Sequence, residues 1–93
     1  MDKKKLNRAR IKIDKIDQSI FELIKKRTVV VKYMLKLKKN KNEIIDHKRI
    51  NKILESIRKK SIRNKIDPKI TNKIWKSMIW SYVEYQRKIF KKK

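Results

Sequence analysis

The sequence predicts an all-α fold of three helices with an unusually long first one, on three observations. Apolar residues recur at spacings of three and four along most of the chain, glycine is absent, and the single proline, Pro68, directly follows Asp67. A spacing of three and four is the 3.6-residue period of an amphipathic helix. Without glycine the chain has few places to turn, so breaks must come from polar clusters and the proline. At 93 residues it forms one domain, 1–93, and a chain of this size buries only a modest share of its surface alone.

The first helix is expected from about Lys4 to Lys38. Leu6, Ile13, Ile16, Ile20, Leu23, Ile24, Val30, Val31, Met34 and Leu37 keep the helical period, and the Val29–Val31 run does not interrupt it. Such a helix spans roughly 50 Å at 1.5 Å per residue, more than a small domain's width, so its end must pack on something outside its own chain. Residues 39–43 form a polar loop, after which Asp46 is a suitable N-cap for a second helix running to about Arg63, with Ile50, Ile53, Leu54 and Ile57 as its stripe. Asp67-Pro68 places a capping residue before a proline at the first helical position. The third helix then runs to about Phe90, with Ile70, Ile74, Met78, Tyr82, Gln86 and Ile89 on one face and Trp75, Ile79 and Val83 alongside.

Composition removes several classes of function. With no cysteine there are no disulfides, thiolate metal sites or cysteine nucleophiles, and the lone His47, placed at an exposed helix start without a role, cannot build a histidine metal site. No metal and no cofactor is expected. No secretory signal or membrane span is legible, so a cytoplasmic location and no membrane partner are the default. The formal charge of +22 raises the reading of a basic helical nucleic-acid-binding protein. That reading rests on charge alone, because no recognition-helix, zinc-knuckle or heptad-zipper motif accompanies it. No specific nucleic acid is therefore expected. Heavy use of Lys, Ile and Asn beside one alanine and no glycine is the bias of an AT-rich genome, and much of the charge is then solvated drift.

Against that lysine background the arginines carry more information: Arg8, Arg10, Arg27, Arg49, Arg58, Arg63 and Arg87. A guanidinium holds a carboxylate through two parallel hydrogen bonds and stays charged at any working pH. Arg27 sits among Ile20, Leu23, Ile24, Val31 and Met34, which implies a partly buried cation in need of a counter-charge. Lys38, eleven residues on, points from nearly the same face, whereas Arg10, seventeen residues earlier, lies roughly 100° around the helix and cannot easily serve the same pocket. Singly, Arg27 and Lys38 would pair with an acid of another helix or extend to solvent. With nine acids for thirty-one bases, a small external anion is the more natural partner. Tyr82 and Gln86, four apart, add neutral hydrogen-bonding groups on an apolar face.

These positions together resemble the all-helical chorismate mutase family. The first helix carries Arg10-x-x-Ile13-Asp14-x-Ile16-Asp17-x-x-Ile20-x-x-Leu23-x-x-x-Arg27-x-x-x-Val31 and then Lys38, similar in order and spacing to the family's N-terminal signature. Asp46-x-x-Arg49 resembles the start of its second helix, and the segment from Met78 to Gln86 the end of its third. The resemblance spans Leu6 to Phe90 and implies an intertwined homodimer paired through the long first helices, with Arg10 donated across subunits. It implies a dicarboxylate substrate gripped by Arg10 and Arg27, with Lys38 and Gln86 bonding the ether oxygen, and Arg49 and Asp46 supporting the ring side. Chorismate to prephenate is an intramolecular rearrangement, so held geometry and preoriented charge can supply the catalysis without a nucleophile or metal. One position departs: many members have a glutamate after the arginine matched by Arg49, and this chain has Ile50. With Trp80 and Tyr82, Ile50 looks more like isochorismate pyruvate lyase, the alternative activity on this scaffold, which forms salicylate and pyruvate.

Overall fold

A computed structural model describes residues 2–90, and within them the order is α1 (Lys3–Leu37), a short 3-10 turn (Lys41–Glu43), α2 (His47–Arg63) and α3 (Pro68–Ile89). The three predicted helices are present, with bounds within one or two residues of those expected. Among the described residues no helix is long and apolar enough to cross a membrane. The chain divides between Tyr33 and Met34 into two compact units.

The N-terminal unit is α1 as far as Tyr33. Asp2 opens it, its side chain accepting from the Lys5 amide at 3.1 Å and its carbonyl from Leu6 at 3.1 Å. The predicted apolar stripe forms but stays open to solvent: Ile13, Ile16, Ile20, Leu23 and Ile24 are all exposed, Leu23 by 63%. Most of a helix's stability in a folded protein comes from covering such a stripe. Arg27 and Thr28 are half-buried, and the Thr28 hydroxyl donates to the Ile24 carbonyl at 2.8 Å. Arg10 is exposed.

The second unit holds the last turn of α1, the 3-10 turn and the α2–α3 hairpin. Its core is Leu35, Ile44 and Val83, with Ile45 and Phe90 packed against them. Burying each such aliphatic side chain is worth about 1.5–3 kcal/mol, so this cluster ties the end of α1 and the loop after it to the second half of α3. Helices α2 and α3 run antiparallel. Near their connection the Ser61 and Thr71 hydroxyls lie 2.7 Å apart, and at the far end the centres of the His47 and Trp80 rings lie 6.4 Å apart with their planes tilted by 53°. Ser61 is among the most buried residues and also donates to the Ile57 carbonyl at 2.7 Å.

The expected face of α3 is buried only in its second half. Ile79, Val83 and Gln86 are buried and Trp75, Met78 and Tyr82 half-buried, while Ile70 and Ile74 are exposed like Ile62 and Ile66 of the connection. That connection is made without glycine. Ile66 donates to the Ser61 carbonyl at 2.9 Å and Lys65 to Ile62 at 3.2 Å, the paired bonds of a Schellman C-cap, with Lys65 at φ 57° in the left-handed region usually given to glycine.

Candidate active site

Residue order in the second unit explains how a lysine and a glutamine come together. Leu35 and Lys38 are three apart, as are Val83 and Gln86, so the packing of Leu35 with Val83 carries the polar residue one turn beyond each to the same place. Lys38 Nζ donates to Gln86 Oε1 at 2.8 Å. Gln86 is only 6% exposed, and its Nε2 donates to the Tyr82 carbonyl at 3.1 Å. A primary amide has two N–H groups and an ammonium three. After these bonds the pair still has two ammonium donors and one amide donor to offer a ligand.

The charge of Lys38 is answered by fields rather than by contact. Burial pushes its pKa below the ordinary lysine value of 10.5, while the charges of Glu43 and Asp46 pull weakly the other way. Both carboxylates are engaged elsewhere. Glu43 Oε1 accepts from the Lys39 and Asn40 amides at 3.0 and 3.2 Å, and Asn40 Oδ1 from the Asn42 amide at 3.0 Å, closing a capping box over the 3-10 turn. Asp46 is the N-cap of α2, accepting from the Arg49 amide at 3.0 Å. Among the described residues no carboxylate comes within ion-pair distance of Lys38, and the Lys25–Glu22 pair, at 3.9 Å, lies on the open surface of α1. Lys38 is thus a partly desolvated cation held by a neutral amide, an arrangement an anion would complete.

The other predicted residues fall into two groups. Asp46, Arg49 and Ile50 share the first turn of α2, with Arg49 exposed and Ile50 half-buried, and Tyr82 lies one turn before Gln86 on α3. The structure brings Lys38, Gln86 and Tyr82 into one hydrogen-bonded chain and sets Asp46 close enough to act on Lys38 electrostatically. Arg10 and Arg27 belong to the N-terminal unit. Among the described residues no three histidine or acidic side chains gather as a metal site needs. Sequence reasoning missed the part played by Glu43, although Asn40-x-x-Glu43 before an apolar pair has the spacing of a capping box.

The sequence model of the chorismate mutase type II family matches residues 9–87, most of the chain and every one of these positions. The chain belongs to the chorismate mutase type II family. Searches of curated proteins and of solved structures returned no significant match. Family membership makes this an enzyme of the chorismate mutase kind that binds a chorismate-type substrate. Within the matched span, Lys38 and Gln86 are already joined by a hydrogen bond in the single chain.

Proposed function

We propose that the protein is a chorismate mutase, converting chorismate to prephenate. In that rearrangement the ether C–O bond breaks as a C–C bond forms, and negative charge gathers on the ether oxygen. No proton needs to leave or arrive. A group that helps must therefore be a donor present before the reaction and aimed at that oxygen. The 2.8 Å contact between Lys38 Nζ and Gln86 Oε1 carries this reading, because it holds an ammonium and an amide side by side in a partly desolvated place. In this assignment Lys38 and Gln86 bond the ether oxygen and are the catalytic residues. Arg27 and Arg10 take the two carboxylates and so hold the substrate in its compact conformer. Arg49 and Asp46 support the ring, with the second oxygen of Asp46 directed to the ring hydroxyl, and Tyr82 and Ile50 line the site.

The working unit is a homodimer in which Arg10 enters the partner's site. The exposed stripe Ile13, Ile16, Ile20, Leu23 and Ile24 supports this, since so long an apolar face needs a cover and a second α1 has the matching pattern.

Ile50 favours a second reading, isochorismate pyruvate lyase. A half-buried aliphatic side chain in the first turn of α2 supplies no acceptor for a ring hydroxyl, and Trp80 adds an aromatic surface nearby through its contact with His47. Incubating the purified protein with chorismate and then with isochorismate separates the two. Prephenate from chorismate supports the mutase, salicylate with pyruvate from isochorismate supports the lyase, and no turnover of either refutes both.

A further inference from the structure

The groove between α2 and α3, running from Asn51 toward their connection, collects charge that the proposed reaction does not use. Arg58 of α2 and Lys69 and Lys76 of α3 line it together with Asn72 and a single carboxylate, Glu55. Its volume is about 560 Å³, within the range of roughly 300–1,000 Å³ typical of small-molecule sites. Half-buried Leu54 and Pro68 give it an apolar floor.

We propose that this groove is a second anion site, taking a small ligand with a phosphate or a pair of carboxylates, separate from the Lys38–Gln86 site. Three cations face one acid here, and among the described residues Glu55 forms no ion pair with any of them. Asp67, the nearest acid of α3, has its Oδ1 on the Lys69 amide at 2.9 Å, capping the helix rather than neutralising the groove. Like charges held on two packed helices repel, and a dianion relieves that repulsion while accepting a fork of hydrogen bonds from Arg58. Arg58 is one of only seven arginines in a chain whose ordinary cation is lysine, so it stands where a guanidinium has a use that lysine does not meet. The two sites share no residue. Asp46, Arg49 and Ile50 occupy the first turn of α2 and Gln86 the last part of α3, whereas the groove uses α2 from Asn51 to Arg58 and α3 from Pro68 to Lys76. It also differs from the exposed isoleucines Ile62, Ile66, Ile70 and Ile74, whose surface is apolar and suits a protein cover.

The test is a titration of the full chain, at fixed ionic strength, with inorganic phosphate and separately with succinate, followed by amide and guanidinium NMR. The expected result is saturable binding of at least one probe at the groove, read from the signals of the groove's own residues. The Arg58 Nε–H signal and the Lys69 and Asn72 amides should shift together. Arg58→Gln and Lys76→Gln should each weaken binding about tenfold, and Arg58→Lys should recover only part of it. Lys38→Ala should leave the affinity unchanged, so that this site stands or falls independently of the enzyme assignment. Three results overturn the proposal: shifts that never saturate with either probe, binding lost on Lys38→Ala, or equal weakening by the exposed Lys48→Gln outside the groove, which would mean diffuse attraction to a basic surface.

Discussion

Replacing Lys38 by alanine is the perturbation whose effect follows most directly from the geometry. The substitution removes the ammonium that bonds Gln86 Oε1 at 2.8 Å, and with it both remaining ammonium donors of the pair. Gln86 keeps its bond to the Tyr82 carbonyl at 3.1 Å but loses the contact that fixes the other end of its amide. Loss of one preoriented donor to a developing oxyanion typically costs about 10²–10³ in kcat, about 2.7–4 kcal/mol. Since the amide partner loses its anchor as well, we expect the upper part of that range. We further expect Lys38→Ala with Gln86→Ala to cost clearly less than the sum of the two single changes, as residues in contact do. Chorismate consumption under saturating substrate measures kcat, and a thermal melt checks that the fold survives, as it should with Leu35, Ile44 and Val83 unaltered. If folded Lys38→Ala turned over within about threefold of the parent, the assignment of the catalytic pair would be wrong.

Three other outcomes follow. In the proposed assignment the cation is the active form, and burial lowers the pKa of Lys38 below 10.5, so kcat/KM should fall as pH rises through that lowered value. A bound dianion favours the cation, so the alkaline limb of kcat should lie at higher pH than that of kcat/KM; coincident limbs would mean that substrate does not touch Lys38. Lys65→Gly should stabilise the protein by about 0.5–1 kcal/mol, read as a raised urea midpoint, because relief of about 1–2 kcal/mol of left-handed strain at φ 57° outweighs the added chain entropy of glycine. Sedimentation equilibrium should give twice the chain mass, and Ile20→Asp on the open stripe of α1 should shift the protein to monomer and abolish turnover; a monomeric parent with full activity would refute the shared site.

The helices were legible because their signals are local. The 3.6-residue period of α1 and the Asp46 and Asp67 caps each depend on neighbours in sequence, and the caps bond the Arg49 and Lys69 amides as capping residues do. The joining of Lys38 to Gln86 was legible only through the family signature, since the two are 48 positions apart and meet because Leu35 packs with Val83. Three features were not anticipated. The Schellman cap at Lys65 carries none of the usual glycine signal, since the chain contains no glycine. The contact of Ser61 with Thr71 needs the hairpin to exist before either hydroxyl has a partner. Glu43 read as part of a polar loop, although its side chain ties down the backbone beside Lys38. Periodicity, in turn, marks a helix face without saying what covers it: Leu23 keeps the helical period and yet stands 63% exposed in the single chain.

The central claim is that Lys38 is held ready for an external dianion rather than for one of the protein's own acids. A crystal structure with a dicarboxylate transition-state analogue bound tests it most directly. The account predicts Lys38 Nζ and Gln86 Nε2 both within about 3 Å of the analogue's ether oxygen, with Glu43 and Asp46 still capping their turns. Lys38 swung onto either carboxylate, with the ligand bound elsewhere, would contradict it.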